Sequence, residues 1–136
     1  MNSRVLVAHE IGADNTFLPG GHIESGEKAV DALVREVVEE IGVSPVVKQH
    51  IGSIEHTWRN GSEEHHEINL VFQMDLPSLD SAVNPPSQED HLGFFWVDTA
   101  DIAGHNLLPH PMNELVSGEL QRHSAFWAST IGESDD

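Results

Sequence analysis

Three glutamates near the end of one predicted helix are the residues best suited to chemistry. Glu36, Glu39 and Glu40 follow apolar residues that recur with helical spacing from Val30 to Ile41. On a wheel of about 100° per residue, Glu36 and Glu40 lie beside the apolar stripe and Glu39 lies farther out. Like charges at i,i+4 cost a helix roughly 0.2–0.5 kcal/mol, so stability does not explain this spacing. Carboxylates are ligands that Mg²⁺ prefers.

A glycine turn upstream separates this cluster from an ordinary acidic helix face. Pro19-Gly20-Gly21 allows backbone geometry that a side chain would forbid, and Ser25 is the predicted N-cap of a helix that Gly42 ends. The stripe of Val30, Val34, Val37 and Ile41 is expected to dock on a sheet. Exposed backbone groups beside carboxylates predict a magnesium and diphosphate site.

The spacing of this segment resembles the complete signature of the Nudix hydrolases. Gly21, five residues, Glu27, seven residues and then residues 35–43, REVVEEIGV, match every specified position. The resemblance implies an α/β/α sandwich with a mixed β-sheet. It also implies hydrolysis of a diphosphate linked to another moiety, usually a nucleoside, with Mg²⁺ or, as a substitute, Mn²⁺.

The same resemblance implies roles for individual residues. The expected metal ligands within the segment are the Gly20 carbonyl and the carboxylates of Glu36, Glu39 and Glu40. Glu39 either shares a second metal ion or takes the proton from the attacking water. Arg35 and Glu27 are expected to hold the loop and the helix together.

A further carboxylate from outside the segment is expected at the metal. Glu89, just before a predicted aromatic strand, is the first choice, and Glu67 is the second. For both, a solvated acid near a strand end is an equally good interpretation.

The remaining periodicities predict an α/β (α+β) domain over residues 1–136, with a frayed tail at 132–136. The predicted elements are a strand at 4–9 buried on both faces, a loop at 76–88, a short strand at 94–97 and a last helix at 112–122. Two long strands, 46–59 and 64–76, form a hairpin joined by Asn60-Gly61. In its second arm the face carrying Ile68, Leu70, Phe72 and Met74 is expected to point to a core.

Composition excludes several classes of function. Six basic and 23 acidic residues give a net charge of -17, which repels a nucleic-acid duplex. The chain has no cysteine, so no disulfide, thiolate zinc site or thiol nucleophile is available, which favours a cytoplasmic location. No apolar run approaches the about 18 residues of a membrane span.

Histidines and aromatic residues offer weaker alternatives. Zinc at His65 and His66 is disfavoured, because adjacent strand residues point to opposite faces. The run His65-His66-Glu67-Ile68-Asn69 resembles Nudix proteins of the nucleotide-sugar or ADP-ribose type. Trp58 and the aromatic residues at 94–96 could stack on a base, although a core position is the more common role.

The sequence therefore predicts a Mg²⁺-dependent pyrophosphohydrolase acting on a nucleoside diphosphate derivative. The alternatives are a nucleoside triphosphate pyrophosphatase and a noncatalytic nucleotide sensor. Family members commonly have a strand before the one at 4–9, so either that strand is absent or a second copy completes the sheet edge in a homodimer.

Overall fold

The structure, a computed structural model, describes residues 4–117 and 126–131. The predicted tail at 132–136 and the second part of the predicted last helix lie outside these residues. The elements are β1 (Arg4–Glu10), α1 (Ala29–Ile41), β2 (Val46–Asn60), β3 (Glu63–Asp75), β4 (Leu92–Asp98), a 3-10 helix (Thr99–His105), α2 (Met112–Ser117) and β5 (Phe126–Ser129).

The strands form two sheets, and buried residues of both sheets meet in one of two apolar core clusters. β1 pairs antiparallel with β4, and β2 pairs antiparallel with β3 and parallel with β5. Val7 of β1 packs with Ile54 of β2 and Leu115 of α2 between the sheets. Leu6 and Ala8 point the other way and pack against α1. The mixed sheet, the α+β class and the strand buried on both faces are therefore confirmed.

Helix α1 begins later than the sequence suggested. The N-cap prediction for Ser25 is wrong, because the helix starts at Ala29. Ser25 and Gly26 instead form a turn in which the Glu27 N–H donates to the Glu24 carbonyl at 3.0 Å, and Gly26 has a left-handed φ of 80°. Because Glu27 lies in this turn and not in the helix, its carboxylate can accept hydrogen bonds from Arg35 of α1.

The buried stripe of α1 is rotated relative to the prediction. Val37 and Ile41 are buried as expected, but Val30 is exposed. Leu33 packs against the same cluster as Val37, and Glu40 is buried beside it. The stripe is thus centred closer to the glutamates, which places a carboxylate inside the packed face.

The predicted surface loop at 76–88 is attached to the core at several points. Arg4 Nη1 donates to the Ser81 carbonyl at 2.8 Å, and Trp96 Nε1 donates to the Val83 carbonyl at 3.1 Å. The Gln88 N–H donates to the Glu40 carbonyl at 2.8 Å. These contacts link the loop to β1, β4 and the end of α1.

The hairpin of β2 and β3 turns one residue later than predicted. Asn60 pairs with Glu63, so the two-residue loop is Gly61-Ser62 rather than Asn60-Gly61. Gly61, at φ 64°, occupies the first loop position, where glycine is favoured.

The face of β3 that points inward also differs from the prediction. Ile54 is fully buried and pairs with Asn69, so the odd-numbered residues of β3 share the inner face and Val71 is buried there. Ile68 and Leu70, expected in the core, are 55% and 46% exposed, whereas Met74 of the same predicted set packs against the cluster that contains α1. A shift of one residue reverses the faces of a strand, and the buried β2 partner decides between them.

Candidate active site

A hydrogen-bonded ion pair joins the glycine loop to α1. Arg35 Nε donates to Glu27 Oε2 at 2.8 Å, and Arg35 Nη2 donates to Glu27 Oε1 at 3.0 Å. The Arg35 bond holds the pKa of Glu27 below its usual value, and Glu27 in turn raises the pKa of Arg35. Such two-point pairing fixes orientation as well as distance. The pairing predicted for these two residues is present in the structure.

Arg35 also holds a backbone atom of the loop. Its Nη2 donates to the His22 carbonyl at 3.0 Å, while the N–H of Glu24 donates to Glu27 Oε1 at 3.1 Å. The sequence carries no signal for the His22 contact, because a main-chain carbonyl acts there and any residue supplies one.

The three glutamates of α1 differ in exposure. Glu40 is 8% exposed, the Glu36 side chain is 19% exposed, and the Glu39 side chain is 53% exposed. This order agrees with their positions on the helical wheel. Arg35 Nη1 lies 2.9 Å from Glu36 Oε1 and 3.5 Å from Glu39 Oε2, so one guanidinium bridges both carboxylates.

The glycine turn packs directly on these carboxylates. A Cβ added at Gly21 would lie 2.4 Å from Glu36 Cδ and 2.6 Å from its Oε2, so a side chain there fits only if the Glu36 carboxylate moves. Gly20 has a φ of 143°, and its N–H donates to the Glu40 carboxylate. The two glycines let the main chain reach the acidic cluster.

Glu40 carries an electrostatic cost that the protein does not neutralise. Burial raises its pKa to about 7, and the charges of Glu36, Glu89 and Glu39 add to this shift against the Gly20 hydrogen bond. Its Oε1 is buried without a hydrogen-bond partner. A buried unpaired oxygen among carboxylates fits a hard divalent cation, which takes oxygen ligands.

Among the described residues, no three His, Cys, Asp or Glu side chains already converge as a complete metal-ligand set. Two of the candidate ligands, Glu36 and Glu39, are instead paired with the guanidinium of Arg35.

The charge of Glu89 acts on Glu40, whereas Glu67 lies apart on β3. Glu89 lies near enough to raise the pKa of Glu40, and the main chain at Gln88 is bonded to the Glu40 carbonyl. Glu67 lies on β3, where its carboxylate accepts a 3.5 Å hydrogen bond from Asn69. The charges that raise the pKa of Glu40 do not include Glu67.

The histidines of the hairpin do not converge. The His65 ring stacks on Trp58 at 4.0 Å, whereas His66 Nε2 lies 3.1 Å from Glu55 Oε2 on the opposite face. Of the aromatic residues, Phe94 is buried in the core, whereas Trp58 is 40% exposed, so the core interpretation is wrong for Trp58. The interpretation of the β4 aromatic residues as core is confirmed by the packing of Phe94, Phe95 and Trp96 against the two core clusters.

The fold and the site together define a class of domain with a glycine turn and a carboxylate-bearing helix packed on a mixed α+β scaffold. The chain belongs to the NUDIX domain family, whose model matches residues 1–117. The resemblance seen in the signature segment is therefore confirmed.

Individual relatives match shorter stretches. An ADP-ribose pyrophosphatase from Methanocaldococcus jannaschii is 41% identical over 59 residues, which cover 43% of this chain and 34% of that protein. The low-salt glycan biosynthesis protein Agl8 from Haloferax volcanii is 31% identical over 64 residues, 44% of this chain and 41% of that protein. The chain thus spans well under half the length of these curated relatives.

A solved structure shares the fold. It comes from a study of MutT from Aliivibrio salmonicida and Vibrio cholerae, with a TM-score of 0.50 and 23% identity over 87% of this chain and 88% of that one. No helix in residues 4–117 and 126–131 is long and apolar enough to cross a membrane.

The raised pKa of Glu40 predicts a pH dependence of stability in metal-free protein. Because the folded state holds the proton up to about pH 7 and the unfolded chain releases it near 4.5, unfolding becomes easier as the pH rises between these values. Glu40→Gln mimics the protonated form. In urea titrations with a chelator, we expect the variant and the wild type to match near pH 4.5, and the variant to be more stable by roughly 1–3 kcal/mol at pH 7.5. A difference that stays constant with pH would contradict this account.

Proposed function

We propose that the chain is a Mg²⁺-dependent pyrophosphohydrolase that cleaves the diphosphate linkage of a nucleoside diphosphate derivative of the ADP-ribose or nucleotide-sugar type. The observation that carries the proposal is the unpartnered, buried Oε1 of Glu40 beside the Gly20-Gly21 turn, within reach of the charges of Glu36, Glu89 and Glu39. Membership of the NUDIX domain family supports the reaction type.

The residues that would hold the metal are those of the acidic cluster. They are the Gly20 carbonyl and the carboxylates of Glu36, Glu39, Glu40 and Glu89. A bound Mg²⁺ ion, or Mn²⁺ in its place, supplies charge neutralisation on the diphosphate and a lowered pKa of bound water. The oxygen-only donor set supports this choice over a softer metal.

The chain's own groups have separate tasks. The exposed Glu39 carboxylate takes the proton of the attacking water, a step worth about 10²–10⁴ in rate. Water adds to one phosphorus and the second phosphate leaves, so two phosphate monoesters form. Arg35 and Glu27 keep the loop at a fixed distance from the helix, which keeps the Gly20-Gly21 turn beside the carboxylates.

Two similarities support the substrate class. The relative from Methanocaldococcus jannaschii is an ADP-ribose pyrophosphatase, matched at 41% identity over 59 residues. The run His65 to Asn69 resembles nucleotide-sugar and ADP-ribose members of the family. Since the aligned parts cover only 34% and 41% of the curated relatives, substrate identity needs a direct assay.

A panel of ADP-ribose, nucleotide sugars, dinucleotides and nucleoside triphosphates with Mg²⁺ tests the proposal. We expect ADP-ribose to yield AMP and ribose 5-phosphate, which release inorganic phosphate only after a phosphatase is added. If only the nucleoside triphosphates are cleaved, with release of pyrophosphate, the chain belongs to the triphosphate class instead. Binding without turnover across the panel would identify a sensor.

Glu40→Gln removes a proposed metal ligand without changing side-chain size. We expect the fold to survive and kcat/KM to fall by about 10²-fold or more, since loss of a charged metal contact weakens transition-state stabilisation. Asp31→Asn, on the exposed face of the same helix, is the matched control and should keep full activity. Full turnover of the Gln variant in saturating Mg²⁺ would contradict the assignment of Glu40 as a metal ligand.

Gly21→Ala tests the close approach of the turn to Glu36. The added methyl overlaps the carboxylate, so Glu36 must move, and we expect Mn²⁺ affinity and activity both to drop about tenfold or more. At Gly104 an added Cβ would meet nothing within 4 Å, so Gly104→Ala is the control for an alanine that causes no overlap. Mn²⁺ binding can be read by electron paramagnetic resonance. Unchanged Mn²⁺ affinity in Gly21→Ala would show that Glu36 does not hold the metal.

A further inference from the structure

Part of the outer face of the sheet β3-β2-β5, around Leu70 and Trp127, carries exposed apolar side chains, whereas Met74 farther along β3 on the same face packs against the cluster that contains α1. Paired positions in a sheet share a face, and Leu70, Ser53 and Trp127 form one row across the three strands. Ile68 lies in the next row, opposite Glu55. Trp127 is 59% exposed, and Ile68 and Leu70 are exposed to a similar extent. Among the described residues, α1 packs mainly on the β1-β4 sheet, and α2 packs on the Ile54 side of β2.

The free edge of β3 adjoins this apolar face. β3 is the outermost strand of its sheet, and within residues 4–117 and 126–131 no strand pairs with its other edge. It has 13 residues and contains neither proline nor lysine, the residues that commonly protect an edge from pairing. The edge is acidic at Glu63, Glu64 and Asp75, but its centre is apolar at Ile68, Leu70 and Phe72, and such an unpaired centre is a template for another strand.

We propose that a second copy of this chain pairs with that edge, β3 against β3 in antiparallel register about a twofold axis at Leu70. The pairing would form one continuous six-stranded sheet with a shared outer face. The interface is isologous, as is usual for homodimers.

The sequence of β3 is complementary to itself in this register. Leu70 faces its own copy and Ile68 faces Phe72, so the apolar residues of the outer face meet one another. On the inner face, His65 lies opposite Asp75, and Glu67 lies opposite the neutral Gln73.

Neighbouring registers lack this complementarity. An axis at Asn69 places Glu63 opposite Asp75, and an axis at Val71 places Glu67 opposite Asp75. Like charges directly opposite each other destabilise a strand pair. Only the axis at Leu70 avoids such a pair among these three.

Other parts of this chain are poorly suited to cover the face. Outside the described residues the sequence holds Met1 and Leu120 as its only large apolar side chains. The net charge of -17 opposes association of two copies at long range, so added salt should strengthen the pairing by screening.

Engineered cysteines test the register, because the natural chain has none. Directly opposed residues of an antiparallel pair have Cα atoms about 4.5–5.5 Å apart, within the range of a disulfide. We expect Leu70→Cys to form a covalent dimer under mild oxidation. Ile68→Cys is the matched control on the same face, since its own copy would lie about 13 Å away along the strand.

Sedimentation analysis of the wild type and Leu70→Lys completes the test. We expect a wild-type dimer that strengthens with salt, and a folded Lys variant whose dimer dissociation constant is about tenfold higher or more. Cross-linking of Ile68→Cys as fast as Leu70→Cys would overturn the register. A wild type that stays monomeric at every concentration and salt level would overturn the proposal.

Discussion

The contact between Arg35 and Glu27 is the interaction on which the geometry of the candidate site depends. The loop before α1 has few internal hydrogen bonds, and its glycines leave the main chain free to take many conformations. The guanidinium fixes it by binding the Glu27 carboxylate at two points and the His22 carbonyl at a third. Because Arg35 also contacts Glu36 and Glu39, the same side chain links the loop to the acidic cluster.

In the acidic cluster of α1, the burial of Glu40 opposes the ionisation of its carboxylate. Glu40 lies in the apolar face of α1, beside Val37 and Ile41, where an unpaired carboxylate is costly. Arg35 compensates Glu36 and Glu39, and it does so at the exposed side of the helix. The inner oxygen of Glu40 is left without a partner, which is why a divalent cation would stabilise the folded chain as well as serve the reaction.

Local sequence signals predicted much of this arrangement. The helical wheel ordered the three glutamates by exposure, and glycine at position 42 marked the end of α1, where its N–H donates to the Val38 carbonyl. Signals that depend on distant residues were harder to interpret. Ser25 is a good N-cap in isolation, but the turn that releases Glu27 toward Arg35 takes precedence.

The faces of β3 illustrate the same limit. Alternation alone favoured the even-numbered residues as the core face, because Ile68 and Leu70 are more apolar than Glu67 and Asn69. The burial of Ile54 on the neighbouring strand reversed that order. Tertiary packing of a partner strand is not encoded within the segment itself.

The two ends of the loop before β4 differ in how well they can accommodate an inserted residue. Val83 is exposed, and the bonds of this part of the loop to Arg4 and Trp96 lie on the β1-β4 side. Residues 87–89 are different, since the Gln88 N–H is bonded to the Glu40 carbonyl and Ser87 is hydrogen-bonded to Glu89. Insertions near Val83 would be absorbed at the surface, whereas a single residue inserted between Gln88 and Glu89 would shift the fourth carboxylate away from the other three.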